Sequence, residues 1–86
     1  MKKYVTKQVE VLAQKWDGEQ STLEELTETG LHVYQFRTED NGLISYVQVR
    51  TLDGALELLI GSWAVKYRNG WRILSDEQFT NNFEED

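Results

Sequence analysis

Residues 34–60 read YQFRTEDNGLISYVQVRTLDGALELLI. Two turn dipeptides, Asn41-Gly42 and Asp53-Gly54, divide this run into three segments of strand type. Asn-Gly and Asp-Gly favour two-residue type I′ turns, whose twist matches the flanking strands and whose central residues both need positive φ. The first turn sets Asp40 opposite Leu43. Counting back pairs Phe36 with Val47 and Tyr34 with Val49 on one face, and Gln35 with Gln48 and Arg37 with Tyr46 on the other. The second turn, counted independently, pairs Val49 with Leu58, Val47 with Ile60 and Arg50 with Glu57. Both counts put the same valines on the apolar face, an agreement that a one-residue slip would destroy. The expectation is three adjacent antiparallel strands with a core face of Tyr34, Phe36, Val47, Val49, Leu58 and Ile60.

The same punctuation recurs downstream in GSWAVKYRNGWRIL, residues 61–74. With Asn69-Gly70 as the loop, Arg68 faces Trp71, Lys66 faces Ile73, Tyr67 faces Arg72 and Val65 faces Leu74. One side of this hairpin then holds Trp63, Val65, Tyr67 and Leu74, interrupted by Arg72, and reads as core. The other holds Ala64, Lys66, Arg68, Trp71 and Ile73 and reads as a surface carrying a large ring. Upstream, the alternation in VEVLAQKW predicts a first strand from Tyr4 to Trp16, with Val5, Val9, Val11 and Ala13 on one side and Leu12 and Trp16 on the other.

Two helices complete the pattern. Ser21 is placed to cap a helix near 21–29, with Glu24 three residues on to return the bond and Gly30 to supply a left-handed stop. Leu23 and Leu26 give it one apolar stripe. Ser75 or Asp76 caps a short helical turn near 76–82, which sets Phe79 and Phe83 on one face, four residues apart. The expected fold is therefore mainly β within the α+β class: an antiparallel meander of about six short strands. Such a meander curls into a partly open barrel or covers one face with its helix.

Composition narrows the class of function. At 86 residues the chain reads as one domain, 1–86, with a single small core. It has no cysteine and one histidine, His32, so disulfides and the usual zinc ligand sets are out of reach and no metal or other cofactor is expected. No apolar run long enough for a secretory signal or a membrane span occurs, which suits a cytoplasmic protein with no membrane contact. A net charge of −6 argues against duplex DNA as a partner, because that affinity rests on Lys and Arg displacing counterions. Acids crowd the first helix as Glu24, Glu25 and Glu28, and Glu84, Glu85 and Asp86 form a tail expected to fray.

No constellation for catalysis emerges. Ser21, Ser45, Ser62 and Ser75 are accounted for by turns and caps, and His32 sits at a strand end. The paired acids Glu24-Glu25, Asp76-Glu77 and Glu84-Glu85 are neighbours in sequence, so neither a helix nor a strand puts them on one face. The glycines stand singly in turns and form no phosphate-cradling loop. Asp17-Gly18-Glu19 has too few alternating acids for a calcium loop. The chain is expected not to be an enzyme. Lys66, Arg68, Trp71 and Arg72 are the candidate binding residues, since exposed Trp and Arg dominate binding hot spots and stack bases. The acidic face of Glu24, Glu25 and Glu28 is a second candidate surface.

Gly61-Ser62-Trp63, the turn at Asn69-Gly70, and Phe79 and Phe83 four apart resemble a family of small bacteriophage and prophage proteins of unassigned function. In that family a Pro-Gly-Asp-Trp turn leads into a hairpin, and the chain closes on a Phe and a second aromatic four residues later. VEVLAQKWDG, residues 9–18, resembles the family's opening strand. Ile60 stands where the family has proline, and Ser62 where it has aspartate. The resemblance implies phage or prophage origin and transfers no catalytic residues. The leading expectation is a noncatalytic accessory protein that binds a host or viral protein in the host cytoplasm and inhibits or modulates it. The alternatives are a self-assembling or virion-associated structural component, and a single-stranded nucleic-acid binder acting through the aromatic and basic hairpin.

Overall fold

The computed structural model describes residues 1–5 and 10–85. In chain order the elements are β1 (Lys2–Val5), β2 (Glu10–Lys15), α1 (Gln20–Glu28), β3 (Val33–Thr38), β4 (Ile44–Thr51), β5 (Gly54–Glu57), β6 (Trp63–Tyr67), β7 (Gly70–Leu74), α2 (Asp76–Asn82) and β8 (Glu84–Glu85). The strands form a five-stranded sheet in the order β7-β6-β2-β1-β8 and a three-stranded sheet in the order β3-β4-β5, all antiparallel. The mainly β architecture agrees with the expected class, and the strands lie in two open sheets rather than a closed barrel. The strands expected downstream of α1 are all present. The predicted single strand from Tyr4 to Trp16 is instead a hairpin, β1 against β2, in which Lys2 pairs with Ala13. No glycine, proline or asparagine punctuates Thr6 to Val9, so nothing local marks a turn there. Val9 and Asp86 lie outside the described residues. The tail does not simply fray: Glu84 and Glu85 pair with Val5 and Tyr4 as an edge strand.

The meander of residues 33–57 keeps the expected pairs Phe36 with Val47, Gln35 with Gln48 and Arg37 with Tyr46. It differs at both ends. A register shift at Tyr34 pairs Val33 rather than Tyr34 with Val49, and a second shift pairs Thr38 with Ile44. The β4–β5 turn also sits one residue earlier than expected, so Val49 pairs with Leu56 and Arg50 with Ala55. The β6–β7 turn moves in the same way, pairing Lys66 with Trp71 and Val65 with Arg72. A common backbone cause underlies both. No described non-glycine residue has positive φ, so Asn41, Asp53 and Asn69 cannot occupy type I′ turns. The glycine after each takes the positive φ instead, as the residue that closes the turn.

The N-cap of helix α1 lies two residues before the expected one. Glu19 is its N-cap without a side-chain bond, while Asp17 accepts from the Glu19 N–H at 2.9 Å and from the Thr22 hydroxyl at 3.1 Å. Ser21 therefore lies inside the helix and does not cap it. The stop at Gly30 stands as expected. Gly30 has φ 113°, its N–H donates to the Thr27 carbonyl, and the Leu31 N–H donates to the Leu26 carbonyl. These two bonds make a Schellman motif, with Leu26 and Leu31 both buried in the core beneath it. At α2, of the two residues the sequence offers as a cap, Ser75 is the N-cap, and it forms a capping box with Gln78.

Two apolar clusters occupy the two faces of the five-stranded sheet. Val11, Ala13 and Val65 pack with Phe79 and Phe83 of α2, flanked by Trp63, Tyr67 and Leu74. Trp63 stacks on Phe79 with centroids 3.8 Å apart, Phe79 stacks on Phe83 at 5.0 Å, and Tyr67 meets Phe83 edge-on at 6.5 Å. The opposite face supplies Ala64 and Trp71 to a larger cluster with Trp16, Leu23, Leu26, Leu31, Ile44, Val47, Val49 and Leu58. The last hairpin is thus covered on both sides, by α2 on one and by α1 with the second sheet on the other. The Leu52 N–H donates to the Trp71 carbonyl at 2.8 Å and joins the two sheets where β4 ends beside β7.

Candidate functional site

The four candidate cations and rings of the last hairpin do not form one patch. Trp71, expected on the surface, is 7% exposed and belongs to the core between the sheets. Its expected neighbour across the turn, Arg68, lies in the turn itself and is exposed. Lys66 is opposite Trp71 instead, and its Nζ donates to the Thr29 carbonyl at 2.7 Å, holding the C-terminal end of α1. A cation there also complements the helix dipole. Arg72 is exposed on the α2 face, with its guanidinium 6.0 Å from the Tyr67 ring centroid. The aromatic and basic surface inferred from residues 66–72 is therefore overturned at its centre. The acidic face is also divided. Glu24 and Glu28 are exposed, whereas Glu25 pairs with the amino group of Met1.

The exposed apolar side chains lie elsewhere. Among the described residues the large exposed hydrophobic side chains fall within residues 34–60: Tyr34, Phe36, Leu52, Leu56, Leu59 and Ile60. Tyr34, Phe36 and Ile60 were expected in the core and are instead 50%, 56% and 63% exposed. The reason is their place in the sheet. Val47 and Val49 sit on the central strand β4, which is covered, while β3 is an edge strand that overhangs the body. Ile60 follows β5 in the connection to β6.

Phe36 borders two of the concavities in the surface. It lines a groove of about 180 Å³ with Gln20, Leu23, Glu24 and Ile44, between the start of α1 and the β3–β4 hairpin. It also lines a second groove of about 360 Å³ with Gln35, Arg37 and Tyr46. The first groove lies on the face Phe36 shares with Val47, and the second lies on the opposite face, which carries Gln35, Arg37 and Tyr46. Gln35 Nε2 donates to Gln48 Oε1 at 3.1 Å, which ties the polar rim of the second groove together. Neither sequence alternation nor turn spacing could single out Phe36, because both assign it correctly to the face it shares with Val47 and say nothing of coverage.

A third concavity, about 400 Å³, opens at the junction of the sheets. His32, Arg50, Leu52, Asn69, Gly70 and Trp71 contribute to its wall. His32 is exposed and packs edge-on against Tyr34, with ring centroids 4.9 Å apart.

Among the described residues Asp76 departs from its ordinary value. The Trp63 indole N–H donates to Asp76 Oδ1 at 2.9 Å, and Lys15 Nζ lies 3.3 Å from the same oxygen. These partners, the indole first, lower the Asp76 pKa below its usual 3.8. Among the described residues no helix is long and apolar enough to cross a membrane. No family model matches the chain, and no curated protein or solved structure matches it.

Proposed function

We propose that the chain is a noncatalytic accessory protein of the phage or prophage type that binds a protein partner, host or viral, in the host cytoplasm and inhibits or modulates it. The observation that carries the binding reading is Phe36, an aromatic 56% exposed that borders a groove whose rim carries Gln20 and Glu24. That arrangement matches the anatomy of a hot spot, an apolar anchor surrounded by polar contacts that exclude water. Ile60, Leu59 and Tyr34 extend the exposed apolar area on the same part of the chain. The phage association rests on the turn, hairpin and closing aromatics described above.

The alternatives draw less support. Self-assembly by strand addition needs a long, flat edge, but β3 carries two register shifts and Arg37, devices that blunt an edge. Single-stranded nucleic-acid binding through the last hairpin needs its ring to be free for stacking, and Trp71 is buried. The test is affinity capture from host lysate with the wild type and with Phe36→Ser and Arg72→Ala variants. A partner retained by wild type and Arg72→Ala but lost by Phe36→Ser supports the proposal. No partner, or one indifferent to Phe36→Ser, overturns it.

A further inference from the structure

We infer that the cleft at the sheet junction receives a carboxylate of the polypeptide partner, an inference that rests on the protein-binding reading. Its volume of about 400 Å³ falls within the range of ligand pockets, roughly 300–1,000 Å³, and suits one or two residues. The wall supplies what such a group needs. Arg50 is exposed there, and no described carboxylate pairs with its guanidinium. A guanidinium presents a planar fork that matches a carboxylate in two parallel hydrogen bonds. Asn69 adds an amide beside it and His32 an imidazole. Leu52 and Trp71 form an apolar side on which the stem of the bound residue rests.

Leu52 packs closely over Gly70 in this wall: a Cβ on residue 70 would lie 2.8 Å from Leu52 Cδ2, so a side chain there would make Leu52 shift. Among the residues that line the cleft Arg50 is the one Lys, Arg, Asp or Glu; Lys66, which holds the Thr29 carbonyl, and Arg68, Glu28 and Asp53 stand near but do not line it.

A carboxylate fits better than a phosphate. Arg50 is the one cation in the wall, Lys66 is already engaged, and the carbonyl end of α1 borders the cleft through Gly30. A dianion placed against a helix C-terminus with a single facing guanidinium is poorly matched, whereas one negative charge is balanced. The carboxylate can be a chain terminus or an Asp or Glu side chain, and the probes distinguish them.

The experiment is a ¹H–¹⁵N titration of the full chain with four probes. These are a short glycine-serine peptide ending in leucine as the free acid, the same peptide as its C-terminal amide, that amide with an internal glutamate, and inorganic phosphate. The free acid is expected to shift the amides of Asn69 and Gly70 and the indole of Trp71. Arg50→Gln is expected to weaken it by about tenfold or more, the scale of one charge-assisted pair. Arg68→Gln, in the turn outside the wall, is expected to change it far less. Equal binding of the free acid and glutamate peptides assigns the site to any carboxylate, and preference for one assigns its source. Either supports the inference provided that the plain amide is weaker. Equal binding of the plain amide, shifts centred on other residues, phosphate saturating the site in place of the peptides, or no shift at millimolar peptide each overturns it. A partner captured through Phe36 together with no peptide binding removes the cleft inference alone. Peptide binding with no captured partner removes the Phe36 surface alone.

Discussion

Replacing Trp71 with alanine removes a side chain that is 7% exposed from the cluster between the two sheets. A buried aromatic of this kind removes about 150–250 Å² from water. At about 25 cal/mol per Å² that corresponds to about 4–6 kcal/mol, and measured Trp and Phe truncations in cores cost about 3–5 kcal/mol. A chain of 86 residues at about 0.05–0.15 kcal/mol per residue has a total stability of about 4–13 kcal/mol, and small domains lie near the lower end. The substitution therefore removes a large part of the folding free energy. Urea unfolding followed by far-UV circular dichroism measures it directly. With a slope of about 1 kcal/mol/M, the midpoint falls by about 3 M or more, or the variant is unfolded without urea. Arg68→Ala, three residues away in the exposed turn, is the control and should stay within about 0.5 kcal/mol of wild type. A Trp71→Ala midpoint within about 1 M of wild type would refute the burial argument and restore the hairpin as an exposed surface.

Gly30→Ala forces a Cβ onto a residue at φ 113° and should destabilise by about 1–2 kcal/mol. The space around that Cβ is open apart from Lys66 Nζ at 3.9 Å, so a cost in thermal unfolding reports backbone strain; a neutral result would contradict the helix stop. Ser75→Ala breaks the capping box of α2 and should cost about 1 kcal/mol, read as a lowered urea midpoint. Asp76 has a folded pKa below its ordinary 3.8, so its charged form contributes stability above that value, and the contribution is lost as pH falls through the folded pKa. The melting-temperature gap between wild type and Asp76→Asn should therefore be full at pH 5–6 and close below the ordinary carboxylate value. A gap that stays constant to pH 2 would rule out the charge as its source.

Much of the local architecture is legible in the residues because its causes are local. Gly30 ends α1 because its backbone readily takes the left-handed conformation, and Ser75 with Gln78 starts α2 because the capping bonds span only three residues. The turns are located to within one residue, but their type is not. Asn-Gly and Asp-Gly serve a primed turn or a turn closed by glycine equally well, and the choice depends on the twist of the flanking strands. Moving the last two turns back by one residue shifts each pairing by two. Because side chains alternate with period two, Val65 still shares a face with Trp63 and Tyr67, and Trp71 still shares one with Ala64 and Ile73.

The candidate site is where local reasoning stops. Alternation shows that Phe36 and Val47 share a face, and that Trp71 and Lys66 lie together on one side of their hairpin. It cannot show which faces are covered. Coverage depends on contacts between segments distant in the chain: α2 against one side of the five-stranded sheet, and α1 with the second sheet against the other. The sequence by itself determined the mainly antiparallel class, the stop of α1 at Gly30, a start of α2 at Ser75 or Asp76, and the face of most strand residues, though not the exchange of Tyr34 for Val33 opposite Val49, because φ preferences, caps and pleat are properties of neighbouring residues. Only the tertiary structure decided that Trp71 is core and Phe36 is surface, because burial is set by what packs on a face, and an edge strand with a core-like pattern is left uncovered when no element reaches it.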